Sequence, residues 1–137
     1  MATYIVEIPL KLPSCNEYIN ACRYNKFAAA KMKRETEEQI GKYLKGLPKF
    51  NKPVKIHFKW IEGNKRRDYD GICFAKKFIL DSMVKSGKLK DDNRKYVYAF
   101  TDSFEYGKET KVILEIEEKE WKNMLVIKMI ILLLLGL

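Results

Sequence analysis

The sequence contains few residues of the kinds that build disulfide frameworks or zinc sites. It has three cysteines and a single histidine, His57, among 137 residues. The cysteine number is odd and no C-x-x-C pair occurs, so we expect reduced thiols in a cytoplasmic protein. A lone histidine on the polar side of a strand pattern is more often structural or solvated than catalytic, so His57 receives no catalytic role.

Long apolar runs are also scarce. Residues 1–12 alternate between apolar and polar side chains instead of forming an apolar block, so we expect no signal peptide. Residues 124–137 are almost wholly apolar, but this run is shorter than the ~18 residues of a bilayer span. We therefore expect one domain over 1–120 and an atypical extension over 121–137 without an assigned function. A membrane partner is not expected, although a tail anchor is the alternative.

Acidic residues are in deficit. The 18 Asp and Glu residues are outnumbered by 27 Lys and Arg residues, which gives a formal net charge of +9. Such an excess favours nucleic acid or an anionic membrane as partner, through long-range attraction and counterion release. A soluble basic protein without a polyanionic partner is the other interpretation of the same balance.

The spacing of apolar residues predicts the secondary structure. Alternation at period two predicts strands over 4–12, 54–60, 95–104 and 111–117. Helical spacing predicts helices over 25–44 and 71–84, with a polar connection between the first strand and the first helix. The last two strands are expected to form an antiparallel hairpin or to lie near each other. The expected fold class is therefore α+β: a small mixed β-sheet packed with two main helices in a single domain.

Four aspartates frame the predicted helix at 71–84. Asp68 and Asp70 are two residues apart, so on an extended segment both carboxylates leave the same face. Asp91 and Asp92 follow the helix as an adjacent pair. Carboxylates that lie close together repel one another unless a cation lies between them. Oxygen ligands without a nearby thiolate or imidazole cluster select Mg²⁺ or Mn²⁺ over zinc. The alternative is that these aspartates only cap the helix and turn the chain.

A lysine of the same helix is expected to face this metal site. At 3.6 residues per turn, positions 70, 74, 77 and 81 form one stripe, so Lys77 and Asp81 point the way Asp70 points. Lys76 is rotated away from that line. Lys77 is therefore the better candidate for a lysine that reaches the metal.

The pattern as a whole resembles the RusA family of Holliday junction resolvases. The core of that family is D-x-D-N, a helical K-x-x-x-D, and then a glycine and D-D. The corresponding residues here are Asp68 and Asp70, Lys77 and Asp81, Gly87, and the pair Asp91 and Asp92. The stretch Leu12-Pro13-Ser14 with Asn16 and Tyr18 is similar to phage-type members. The resemblance covers residues 4–118, and Gly71 stands where the family usually has asparagine.

The resemblance implies a homodimeric, Mg²⁺-dependent endonuclease that binds four-way DNA junctions and nicks two strands of like polarity, in DNA recombination and repair. Asp68, Asp70 and one or both of Asp91 and Asp92 would hold the metal, which would be Mg²⁺ or alternatively Mn²⁺. Asp68, Asp70 and Asp91 would thereby take part in catalysis, and Lys77 would stabilise the phosphate or the leaving group. A two-fold dimer suits a two-fold substrate, because each subunit can cut one strand.

The same resemblance implies that the basic residues next to Asp68 and Asp70 contact DNA. Arg66 and Arg67 would contact DNA, and the neighbouring Lys65 and Lys76 are further candidates. Two other functions stay open. The chain could be a catalytically inactive branched-DNA-binding protein of the same fold, of which Gly71 would be a first sign. It could also be a membrane-associated protein that acts through its tail and its basic surface.

Overall fold

Four strands and five helices follow one another along the described residues, which are 3–119 and 122–136 of the computed structural model. The strands are β1 (Thr3–Ile8), β2 (Val54–Glu62), β3 (Val97–Tyr106) and β4 (Lys111–Glu118). The helices are α1 (Cys15–Tyr24), α2 (Lys26–Tyr43), α3 (Tyr69–Cys73), α4 (Lys76–Lys85) and α5 (Lys122–Leu134). The strands form one mixed sheet, so the expected α+β class is confirmed.

The strand order in the sheet is β1-β4-β2-β3. β4 is antiparallel to both of its neighbours, whereas β2 and β3 are parallel. Of the two arrangements expected for the last two strands, the hairpin is wrong, because β2 lies between them, whereas their placement near each other is confirmed, since both pair with β2. The chain passes over the end of β2 through residues 107–110, where the Gly107 N–H donates to the Glu62 carbonyl. A Cβ atom at Gly107 would lie 2.8 Å from the Ile61 side chain, so the close crossing requires glycine.

The alternating pattern of β2 places every second side chain in the core. Val54, Ile56, Phe58 and Trp60 are buried, and Lys55, His57 and Lys59 lie on the opposite, more accessible face. The core continues into α2 and α4 through Ile40, Leu44, Phe78, Ile79 and Met83. The sheet therefore packs its apolar face on these two helices and leaves the other face polar. On that polar face both ring nitrogens of His57 contact hydroxyl groups, of Thr101 at 2.5 Å and of Ser103 at 2.9 Å.

The first strand is shorter than its alternating pattern predicts. β1 ends at Ile8 because Pro9 has no N–H to donate to the sheet.

The sequence pattern predicted only a polar connection between the first strand and the helix over 25–44. That prediction is wrong, since an additional helix, α1, occupies residues 15–24. Ser14 begins this helix by accepting a hydrogen bond from the Glu17 N–H at 3.3 Å. The next helix, α2, is close to its predicted bounds, and its N-cap is Asn25, whose side chain accepts a hydrogen bond from the Ala28 N–H at 2.8 Å.

The single helix expected over 71–84 is two helices with a break at Phe74 and Ala75. At the break, backbone N–H groups donate to carbonyls three residues earlier, as in the pair Lys77 to Phe74. The prediction that Asp70 and Lys77 lie on one helix face assumed a single continuous helix. Because the chain turns more tightly at the break, that face does not continue from α3 into α4. At the break the Phe74 ring joins a cluster with the rings of Tyr18 and Phe78, in which the three centroid distances are 5.6, 5.9 and 5.8 Å.

The C-terminal segment forms the apolar helix α5. Its residues from 126 to 134, and Leu135 after it, are exposed to solvent. None of the helices in the described part of the chain combines the length and the apolar character that crossing a membrane requires. The boundary expected at residues 120 and 121, between the domain and its extension, lies outside the described residues.

Candidate functional site

An open cavity of about 390 Å³ lies where the β2–α3 connection meets the start of α1. Its walls are formed by the beginnings of two helices and by the basic residues that precede the second. The lining residues are Ser14, Cys15, Asn16, Arg66, Arg67, Asp68, Asp70 and Gly71. The structure thus brings one of the two acidic pairs, and the arginines predicted to contact DNA, to a single cavity.

The two carboxylates of this cavity are held by a short helix start. Asp68 occupies the N-cap position of α3 in an extended conformation, but its side chain makes no capping hydrogen bond. Asp70 lies in the first turn, and its Oδ1 accepts from the Gly71 N–H at 3.0 Å. Both side chains are exposed. The idea that Asp68 serves only to cap the helix is therefore not supported, and its oxygens face solvent.

The two arginines beside the aspartates differ in their surroundings. Arg67 is 14% exposed and forms an ion pair with Glu62, and it also donates to the Leu12 carbonyl at 2.7 Å. Its guanidinium therefore holds the β2–α3 connection to the segment that follows β1. Arg66 is exposed, and its backbone N–H donates to the Asn64 side chain at 2.9 Å. Of the two, Arg66 has the side chain that an external phosphate can reach.

The second acidic pair lies in the loop after α4. The Asp91 carboxylate accepts hydrogen bonds from the Asp92 N–H at 2.7 Å and from the Asn93 side chain at 3.2 Å, which forms a tight polar turn. Loss of surrounding water raises the pKa of the Asp92 carboxyl, and the Asp91 carboxyl and the charge of Asp81 add to the shift. The charges of Asp91 and Asp81 thus oppose ionisation of the Asp92 carboxyl.

The two acidic pairs do not form one close ligand cluster in the part of the chain that the structure describes. Neither Asp91 nor Asp92 is among the residues that line the cavity at Asp68 and Asp70. Within residues 3–119 and 122–136, no set of three or more His, Cys, Asp or Glu side chains is arranged to hold a metal ion. Asp68 and Asp70 line the same cavity, and the other acidic pair lies in the loop after α4. The joint site expected from all four aspartates stays a prediction.

Lys77 lies on the exposed side of α4, beside Asp81. Its ammonium is 3.5 Å from the Asp81 carboxylate, which also contacts Lys33 of α2 at 3.1 Å. Partial burial would raise the pKa of Asp81, but the hydrogen bond from Lys33 and the charges of both lysines outweigh it and lower that pKa. Lys77 is 55% exposed, so it can leave this weak pair for another anion.

Lys76 is held inside the protein by residues that the sequence pattern did not single out. Its ammonium is 2.7 Å from Oδ2 of Asp102 and lies 4.0 Å from the centroid of the Phe100 ring. Oδ1 of Asp102 accepts from the Trp60 indole N–H at 2.8 Å. Asp102 could have been noticed as the acid among the apolar side chains on the helix-facing side of β3. The predicted DNA contact Lys65, in contrast, is exposed and lies over the Tyr106 ring at 5.2 Å.

Comparison with protein-family models and with curated proteins gave no match to this chain.

Proposed function

We propose that this protein is a Mg²⁺-dependent endonuclease that nicks four-way or otherwise branched DNA. The observation that carries the proposal is the cavity in which the Asp68 and Asp70 carboxylates lie beside Arg66. Mg²⁺ characteristically binds through one or two carboxylates and completes its shell with water and substrate phosphate oxygens. Two exposed carboxylates next to an exposed guanidinium fit that requirement. The sequence resemblance to the RusA family supports the same chemistry.

In this proposal, different residues of the cavity bind the metal ion and the DNA phosphate. Asp68 and Asp70 would hold Mg²⁺, which when bound supplies charge neutralisation and a more acidic water. Arg66 would bind a non-bridging phosphate oxygen of the DNA backbone. The N-terminal end of α1 lines the same cavity, and its partial positive charge favours an anion there. These positive groups would position the phosphodiester against the two carboxylates.

Lys77 and the second acidic pair would act from the α4 side. Lys77 would exchange its surface pair with Asp81 for the phosphate or the leaving oxygen. Asp91 or Asp92 would reach a metal only when DNA is bound, since neither lines the cavity of the free protein. The raised pKa of Asp92 shows that its ionised form is disfavoured in the free protein, and a bound cation would stabilise that ionised form. The net charge of +9 would attract DNA to this surface from a distance.

The test is nicking of a synthetic four-way junction in Mg²⁺, with a linear duplex of the same arms as the comparison substrate. We expect wild-type protein to nick the junction in preference to the duplex, and Asp70→Asn to lower the rate at least about 100-fold, as loss of a ligand to a catalytic metal does. Glu35→Gln, at an exposed acid on α2 that pairs with Lys31, is the matched control and should keep the rate. Undiminished nicking by Asp70→Asn would remove the proposed mechanism.

A second candidate function is a branched-DNA-binding protein that does not cut. It is favoured by the use of Asp70 and Asp91 as acceptors for the backbone N–H groups that follow them. Under this function the carboxylates shape turns and bind no metal. Junction binding that is equal with and without Mg²⁺, with no cutting in Mg²⁺ or Mn²⁺, would support it over the nuclease.

A further inference from the structure

The helix α5 exposes apolar side chains around its whole circumference. A helix turns once every 3.6 residues, so a run of consecutive residues points in every direction. From residue 126 to the end of α5 at Leu134, and at Leu135 after it, lysine occupies only position 128. The exposed apolar residues, with fractional exposures of 49–80%, are Val126, Ile127, Met129, Ile130, Ile131, Leu132, Leu133, Leu134 and Leu135. The described part of the domain leaves all of these faces open to solvent.

A second copy of the chain would not cover this surface. Two paired helices bury one apolar stripe each and expose the remaining sides, which is why helices of that kind are polar outside the seam. A helix that is apolar on all sides is satisfied by a surrounding apolar medium, either a protein core or lipid. Lipid chains are the occupant that can surround α5 completely while the folded domain remains in water.

The charges around α5 determine which lipid fits. Lys119 and Lys122 precede the apolar run, interleaved with Glu118 and Glu120, and Lys128 lies within the run, whereas no acidic residue occurs from 122 to 137. Over the whole chain, these lysines included, positive charges exceed negative charges by nine. Basic residues next to a membrane-bound segment are attracted by anionic headgroups, and a long lysine side chain can reach from the apolar zone to the headgroup level.

The length of α5 sets the depth that it can reach. Its 13 residues measure about 20 Å at 1.5 Å per residue, compared with the ~30 Å hydrocarbon core of a bilayer. We propose that α5 inserts into one leaflet of an anionic phospholipid membrane and holds the basic domain at that surface. This inference is independent of the proposed nuclease activity, because it uses none of the residues of the cavity.

Flotation of the full chain with phospholipid vesicles tests the proposal. The vesicles contain either zwitterionic lipid alone or the same lipid with about one quarter anionic lipid. We expect the full chain to float with the anionic vesicles and to stay bound in 0.5 M salt, where purely electrostatic adsorption is strongly screened. The double substitution Ile131→Glu with Leu134→Glu should lower the bound fraction at least about tenfold. The matched control Ile5→Glu, at an isoleucine 69% exposed on β1, should float like wild type.

Three results would overturn the proposal. The first is failure of the full chain to float with anionic vesicles, and the second is flotation of the double variant equal to that of wild type. The third is an oligomer in light scattering that the double variant converts to monomer while vesicle binding stays absent, which would make α5 a contact between copies. Circular dichroism and thermal unfolding of the double variant should match wild type, because the substituted side chains are exposed. A lowered melting temperature would itself contradict the exposed placement of α5.

Discussion

The ammonium of Lys76 lies 2.7 Å from Oδ2 of Asp102, so that the first residue of α4 is tied to the middle of the edge strand β3. Both side chains are largely buried, at 13% and 22% exposure. The Phe58 and Phe100 rings lie beside the ammonium, and the Trp60 indole shares the carboxylate. Lys76 is therefore a partner in the packing of α4 on the sheet, whereas Lys77 next to it faces outward.

Replacement of Asp102 by asparagine should destabilise the fold. The new amide oxygen can still accept from the Trp60 indole, but the buried Lys76 ammonium is left without an anion. We expect a loss of about 1–3 kcal/mol in the free energy of unfolding, which urea denaturation measures. In Lys76→Met with Asp102→Asn the penalty should be smaller than the sum of the single penalties, because each single change already breaks the pair. Strict additivity would contradict a direct interaction.

Substitution of Arg67 should lower the stability of the fold, whereas substitution of Arg66 should leave it nearly unchanged. Arg67→Ala leaves Glu62, whose side chain is 7% exposed, without its cation, so we expect a loss of about 3–5 kcal/mol in the free energy of unfolding. Arg66→Ala should change that free energy by less than about 0.5 kcal/mol, as exposed surface substitutions usually do. Thermal and chemical denaturation of both variants and of wild type measure these differences in the free energy of unfolding. Equal stability losses would show that Arg66 also has a structural role.

The same arginine at position 66 should affect DNA affinity in a salt-dependent way. We expect Arg66→Ala to weaken junction binding and to reduce the slope of log affinity against log salt by about 1, which corresponds to one lost phosphate contact. Fluorescence anisotropy over a range of NaCl concentrations gives the slope. Lys108→Ala, at an exposed cation in the β3–β4 connection, serves as the control for charge alone. A slope unchanged by Arg66→Ala would exclude it from the DNA contact.

Asp81 should make part of the stability depend on pH. Against the opposing effect of partial burial, Lys33 and Lys77 lower its pKa from the usual value of 3.8, so the ionised carboxylate stabilises the folded state at pH values above 3.8. That contribution is lost as the pH falls through the lowered folded-state pKa. We expect Asp81→Asn to lower stability at pH 7 by about 0.5–1 kcal/mol. The difference from wild type should shrink toward zero in strong acid. Denaturation curves under both conditions check this, and a difference that is constant with pH would contradict it.

Mg²⁺ should stabilise the protein through Asp68 and Asp70 even without DNA. A ligand at roughly ten times its Kd raises the free energy of unfolding by about 1.4 kcal/mol. We expect a corresponding rise in the melting temperature of wild type when Mg²⁺ is titrated, and no rise in the Asp68→Asn with Asp70→Asn variant. Na⁺ at equal ionic strength controls for screening. A rise that persists in the double variant would locate the metal elsewhere, for example at Asp91 and Asp92.

Local patterns in the sequence predicted the elements whose own residues determine them. Alternation identified β2, and apolar spacing identified α2, because each of these elements buries one regular face. The helix α1 was missed although Ser14 and Glu17 have the spacing of a capping box, since its residues bury no apolar stripe of their own. The break at Phe74 was also missed: there the chain packs on Tyr18, which is distant in sequence, and periodicity cannot reveal such a contact.

Likewise, only those features of the candidate site that depend on residues close in sequence could be predicted. Asp68 and Asp70 were expected to be neighbours from their spacing on an extended segment; they line one cavity, but only Asp68 is extended, because Asp70 lies in the first turn of α3. The internal partners of Arg67 and Lys76 depend on Glu62 and Asp102, which tertiary structure brings to them. Charge type alone therefore could not separate the cations that hold the fold from those that face solvent.

The position of β4 between β1 and β2 has a consequence for biosynthesis. In the described sheet β1 pairs with β4 alone, so Thr3 gains its hydrogen-bonded neighbour only when Glu117 has been made. At about 5–20 residues per second, translation separates these two residues by on the order of ten seconds. During that interval β1 has no strand partner, and its inward-facing apolar side chains stay open to a chaperone or another chain until the last strand of the sheet is made.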